Sequence, residues 1–224
     1  MKRIRGLSRP RPLAIASLAL LAALLTGSCS DDPTSPNARY TLSGRVRLVG
    51  FMVNADGVFA GTRVVDDADG VPVQLRYGQD VIASTLTVDG IYRFPGLAPG
   101  AYRARSSIVP SVADETGDLT ISTGDVFSGD PIELRSAGDL FPTPNPFSSF
   151  VRILFEIPDT QFVEVRIRDL RGNTKIQLFG QGLPAGAYET AWTVPPGDTD
   201  PYSWVTFESH VYGRKESRAQ LLMR

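Results

Sequence analysis

TVDGIYRFPGLAPGAY, residues 87–102, is the stretch whose reading decides the fold class. Asp89-Gly90 accepts the positive φ of a tight reversal, Tyr92 and Phe94 then fall on one face of the following run, and Pro99-Gly100 turns the chain so that Tyr102 packs nearby. Alternation of this kind marks a half-buried strand, because successive side chains point to opposite faces of a sheet. Working outward, the same period-2 pattern appears in Tyr40-Thr41-Leu42, Val46-Arg47-Leu48, Val71 to Leu75, Tyr102-Arg103-Ala104 and Ile132-Glu133-Leu134. Asp-Gly pairs at 56–57 and 69–70 read as further hairpin turns. Short strands with turns every ten or so residues predict a sandwich.

Alternation resumes further on, in Val151, Ile153, Phe155 and Ile157, in Val163, Val165 and Ile167, in Ile176 and Leu178, and in Tyr188, Thr190, Trp192 and Val194. Pro158-Asp159, Arg171-Gly172-Asn173, Pro184-Ala185-Gly186 and Pro195-Pro196-Gly197 separate these runs. The chain holds 21 glycines and 17 prolines and has no long helical periodicity after Leu25. It is therefore expected to be all-β, with two small β-sandwiches in tandem over residues 40–138 and 139–224, each near the lower end of self-sufficient folding. The boundary falls near Ser136 to Asp139, ahead of the Pro-rich run FPTPNPF.

The first residues have a different character. Lys2, Arg3, Arg5, Arg9 and Arg11 precede an apolar run from Leu13 to Leu25 broken only by Ser17. That is the pattern of a secretory signal over residues 1–28, too short for the roughly 18–20 residues of a membrane span. Cys29, the sole cysteine, follows at once and has no partner for an internal disulfide. Residues 29–39 continue as SDDPTSPNAR after the cysteine, a polar tether with too little apolar surface to fold. LLTGSCSDD resembles a bacterial lipoprotein lipobox, with Leu25 four residues before the cysteine where the family usually has Leu three before. The resemblance implies lipid attachment at Cys29, hence a membrane partner, and localisation to the cell envelope, outer membrane or cell surface. Ordinary signal cleavage near Gly27 or Ser28, leaving a secreted protein with a free thiol, is the alternative. The acidic pair Asp31-Asp32 also resembles a short signal that passes lipoproteins to the outer surface.

Without the leader, the 23 basic residues fall to 18 against 24 acidic ones, a net charge of −6. Nucleic-acid binding needs a basic patch, and here the cations are scattered, so nucleic acid is excluded as a partner. Arg45-Val46-Arg47 and Arg166-Ile167-Arg168 alternate with apolar residues, a spacing that places the charges on the solvent face of a strand.

Ser43-Gly44-Arg45-Val46, Gly70 to Leu75, Thr87 to Phe94 and Gly96 to Tyr102 stand in an order that resembles the carboxypeptidase regulatory-like domain, a transthyretin-like sandwich. Residues 50–69 form a longer link than that family usually has. The resemblance implies a non-catalytic spacer or interaction module, occasionally one that contacts sugars or peptides. Pro144 to Phe147, Phe155 to Pro158, Val165 to Gly172, Leu183 to Tyr188 and Trp192 resemble the Ig-like C-terminal domain of type IX secretion sorting tails and of the flagellar hook-capping protein. Asn173, Asp200-Pro201 and Ala219 depart from the usual pattern. This resemblance implies contact with a secretion machine through the final strand, Leu221 to Arg224; a plain structural module is the alternative.

The residues offer little catalytic chemistry. His210 is the only histidine, no nucleophile stands in a recognisable motif, and no metal-ligand spacing occurs. Asp66-Asp67-Ala68-Asp69-Gly70 invites a calcium reading, but Tyr77 stands where the closing Glu of an EF-hand loop would be, so a solvated hairpin turn is expected. The chain is thus read as a non-enzyme without cofactor or metal. Its function is either structural or adhesive at the cell surface, or the binding of a glycan or peptide through exposed aromatics such as Tyr77 or Phe59.

Overall fold

The computed structural model describes residues 37–109, 112–138, 140–211 and 214–224. The leader and Cys29 lie outside the described residues; of the expected tether only Asn37 to Arg39 is described, and Ala38 is already buried. The described residues form strands and connections without a helix. In the first sandwich, β1 (Tyr40–Val53) is the hub of one five-stranded sheet: β5 (Ile91–Leu97) and β9 (Val126–Phe127) flank its first half, β2 (Phe59–Val65) and β10 (Ile132–Arg135) its second. The other sheet runs β4 (Asp80–Leu86), β3 (Pro72–Tyr77), β6 (Gly100–Val109) and β7 (Val112–Glu115), with β8 (Leu119–Ile121) also on β6. The second sandwich has a three-stranded sheet of β11 (Leu140–Thr143), β12 (Phe150–Ile157) and β15 (Gly186–Thr193). Against it stands a four-stranded sheet in the order β14 (Thr174–Leu183), β13 (Gln161–Arg168), β16 (Tyr202–Val211) and β17 (Arg214–Met223).

Period 2 explains both cores. In β1 every second residue from Leu42 to Leu48 is buried, and in β12 Val151, Ile153, Phe155 and Ile157 point inward while Arg152 and Glu156 point out. The turns are more varied than their dipeptides suggest. Asp56-Gly57 does close the β1–β2 hairpin, whereas Asp69-Gly70 carries the chain from the sheet of β1 to the sheet of β3 and is no hairpin turn. Asp89-Gly90, both at positive φ, is a two-residue reversal closed by reciprocal bonds between Val88 and Ile91, yet the strands on either side belong to opposite sheets. The motif ending in Tyr102 recurs at Tyr188: each hydroxyl donates to the carbonyl oxygen four residues upstream, of Ala98 at 2.8 Å and of Pro184 at 2.9 Å. Both therefore pin a crossing between sheets.

Tyr92 is wholly buried in the first core, its ring 5.9 Å from that of Phe94. Burial pushes the Tyr92 phenol up to about 12. A phenol whose folded-state value lies above its unfolded value of 10.0 contributes stability that is complete below pH 10 and is lost as pH rises toward 12. The melting temperature is expected to fall across that window in the wild type and to fall less in Tyr92→Phe; parallel curves from pH 9 to 12 would assign the alkaline loss to other groups.

The two sandwiches share a junction. Trp204, Ala219, Leu221 and Met223, all from the second sandwich, are buried in the first core, while Leu222 on the opposite face of β17 belongs to the second. The stretch 50–69, the long link noted above, extends β1 and adds β2, and Gly50 on it lies so close to β17 that a Cβ there would stand 3.1 Å from the Leu221 side chain. Asn145 ties the pieces together from a fully buried position. Its amide nitrogen donates to the carbonyl oxygens of Phe51 (2.7 Å) and Leu221 (2.8 Å), and its oxygen accepts from the Met223 N–H (2.9 Å). Ala137 and Ala219 exchange backbone bonds, and Ser136 Oγ accepts from Leu221 N–H. The described residues accordingly belong to one compact unit.

Candidate functional site

Phe59 and Tyr77 are exposed, at 60% and 56%, but they do not share a face. Phe59 stands on β2, edge-on to Phe51, and Tyr77 on β3 in the opposite sheet, 5.6 Å from Tyr102. They make no common platform.

Arg166 and Arg168 differ from the expected solvent-facing charges. The neighbouring strand β16 places Glu208 beside them, nearly buried, and Arg166 Nη1 and Arg168 Nη2 reach its two carboxylate oxygens at 3.1 and 3.4 Å. Lys215 joins from β17 at 2.9 Å. Burial by itself would raise the Glu208 carboxyl, but Lys215, Arg168 and Arg166 outweigh it and hold it below the usual range. Arg166 also reaches Glu164 at 2.6 Å, so three cations meet two acids, and the cluster is structural because the buried Glu208 is sealed by its own cations. His210 follows two residues later, exposed on β16 between Phe162 and Lys215, with no acid or nucleophile paired to it across either strand.

A cleft of about 740 Å³ lies where the loops of the two sandwiches meet, lined by Asp67, Asp69, Asp169, Arg171, Asp200 and Tyr202 among others. Most of its carboxylates already have structural work. Asp69 accepts from the Asp89 N–H, Asp169 holds its own turn by accepting from Arg171 and Asn173, and Asp200 pairs with Lys175 at 2.8 Å. Asp66, the remaining acid of the calcium-like run, pairs with Arg47 at 2.6 Å. Among the described residues no three His, Cys, Asp or Glu side chains gather as a metal-ligating set.

The second cleft, about 590 Å³, opens at one end of the three-stranded sheet. Phe141 and Leu154 are cross-strand neighbours on the outer face, and Glu156 lies two residues beyond Leu154 on that face, opposite Ala187, whose small side chain leaves the floor low. Phe155 and Tyr188 stack at 5.8 Å with their planes 20° apart. Arg218 crosses from β17, its guanidinium 5.1 Å from the centre of the Phe207 ring and its Nη1 3.5 Å from the Glu156 carbonyl oxygen. Phe141 is 44% exposed, and Glu156, also exposed, pairs its carboxylate with no described cation. In the sequence, Phe155 to Pro158 and Leu183 to Tyr188 stand out only as structural motifs. That strand pairing sets them beside Phe141 and Arg218 could not be read from the chain.

No protein-family model and no curated protein matches the chain. Among solved structures it is similar to a Bacteroides uniformis protein provisionally described as carbohydrate binding, with 12% identity and a TM-score of 0.35 over 85% of this chain and 100% of that one. At that degree of likeness nothing about ligand or activity transfers.

Proposed function

We propose that this is an exported, lipid-anchored cell-envelope protein without catalytic activity, in which the two sandwiches form a stiff spacer or adhesion arm and the second also carries the sorting signal. The observation that supports the arm is the junction at Asn145 and β17, since a shared core removes the hinge that an ordinary linker would leave between modules. The leader, Cys29 and the resemblances of the two halves support the anchor and the route. Cys29→Ala is expected to abolish incorporation of a fatty-acid probe that labels the wild type; equal labelling of both would remove the anchor from the proposal. For the route, a reporter placed ahead of residues 37–224 and behind a cleavable, non-lipid signal should reach the surface in a host with type IX machinery and stay periplasmic in an isogenic strain without it. Using the whole unit matters, because residues 139–224 alone would expose Trp204, Leu221 and Met223.

The cleft at Phe141 favours a second reading, in which the protein binds a glycan or peptide. An exposed ring beside an unpaired carboxylate is the kind of feature that a pure spacer does not need.

A further inference from the structure

We infer that the cleft between Phe141, Glu156 and Arg218 binds a neutral pyranose residue of a glycan, an inference that rests on the binding reading above. The size is suitable, since about 590 Å³ falls within the span of small-ligand pockets. The chemistry is more telling. The face of the Phe141 ring carries partial negative charge and attracts the partly positive C–H face of a pyranose. Glu156 supplies two carboxylate oxygens that accept from neighbouring hydroxyls, and Arg218 has several N–H donors beyond the one on the Glu156 carbonyl. One negative and one positive side chain leave this rim without net charge, so it holds no anion or cation by simple attraction. A ligand that both donates and accepts, with one apolar face, matches it best.

The site is also held in shape before a ligand arrives. Tyr188 is anchored through its hydroxyl on Pro184 and its stack with Phe155, and Arg218 rests over Phe207. Groups fixed in this way lose less freedom on binding. Pro158 and Ala187 complete the lining without offering a competing charge.

Saturation-transfer NMR and calorimetry on the exported chain would test this, with glucose, galactose, mannose and cellobiose as probes, glucuronate and glucosamine as charged controls, and a phenylalanine-containing tripeptide. At least one neutral sugar is expected to bind in preference to both charged controls. Phe141→Ala and Glu156→Gln should each weaken it about tenfold or more, with the melting temperature kept because both side chains are exposed. Sugar binding that survives both substitutions would overturn the site while leaving the binding reading in place. Tripeptide binding lost in Phe141→Ala, without sugar binding, would overturn the ligand class alone. No binding of any probe would overturn the inference and the binding reading together, and would leave the anchored arm untouched, since that is read from lipid labelling and surface exposure.

Discussion

Asn145→Ala is expected to destabilise both sandwiches at once. The substitution deletes a side chain that makes three buried hydrogen bonds, leaving the carbonyls of Phe51 and Leu221 and the N–H of Met223 without their partner at the junction. Each buried group left unpaired costs about 1–3 kcal/mol, so for three groups a loss of about 3–9 kcal/mol is expected. For a unit of this size that lowers the melting temperature by about 6 °C or more. The two tryptophans make the cooperativity visible, because Trp204 lies in the first core and Trp192 in the second. With Trp192→Phe and Trp204→Phe used to isolate each signal, the two unfolding curves should coincide in the parent chain. A drop of only a degree or two in Asn145→Ala, or separate curves in the parent, would show that the junction does not couple the cores.

Gly90→Ala should cost well over what its turn geometry alone demands. At a φ of +71 any L residue is strained by about 1–2 kcal/mol. A Cβ at this position would also stand 1.8 Å from the Asp66 carbonyl oxygen, an overlap that only backbone movement can relieve. Gly90 cannot retreat easily, because its own carbonyl accepts from the Val46 N–H and the reversal is closed by Val88 and Ile91. Overpacking of this kind adds about 1–3 kcal/mol. Gly78 provides the comparison, with a φ of +61 and nothing within 4 Å of its would-be Cβ. Gly78→Ala is expected to lose only the conformational part, so chemical denaturation should show Gly90→Ala clearly the worse of the two. Equal losses would mean that the approach to Asp66 carries no energetic weight.

Gly90 also marks the line between what was legible in the chain and what was not. Its dipeptide announced a reversal, since positive φ is a local demand, but the contact with Asp66 twenty-odd residues earlier is not local and left no trace in the spacing. The same division runs through the molecule. Alternation by itself determined the all-β class and which face of β1 and β12 is buried, because the pleat acts on neighbouring residues. By that rule Arg166 and Arg168 face solvent, yet their side chains are mostly covered, because β16 brings Glu208 to the same face. Asp69-Gly70 has the composition of a hairpin turn, yet it crosses between sheets, because a dipeptide sets the local bend and not the partner of the next strand. Both the junction at Asn145 and the cleft at Phe141 were decided only by tertiary structure. Residues 51, 145, 221 and 223, and likewise 141, 156, 188 and 218, meet through strand pairing and sheet packing over long separations, and no period in the sequence encodes a contact of that range.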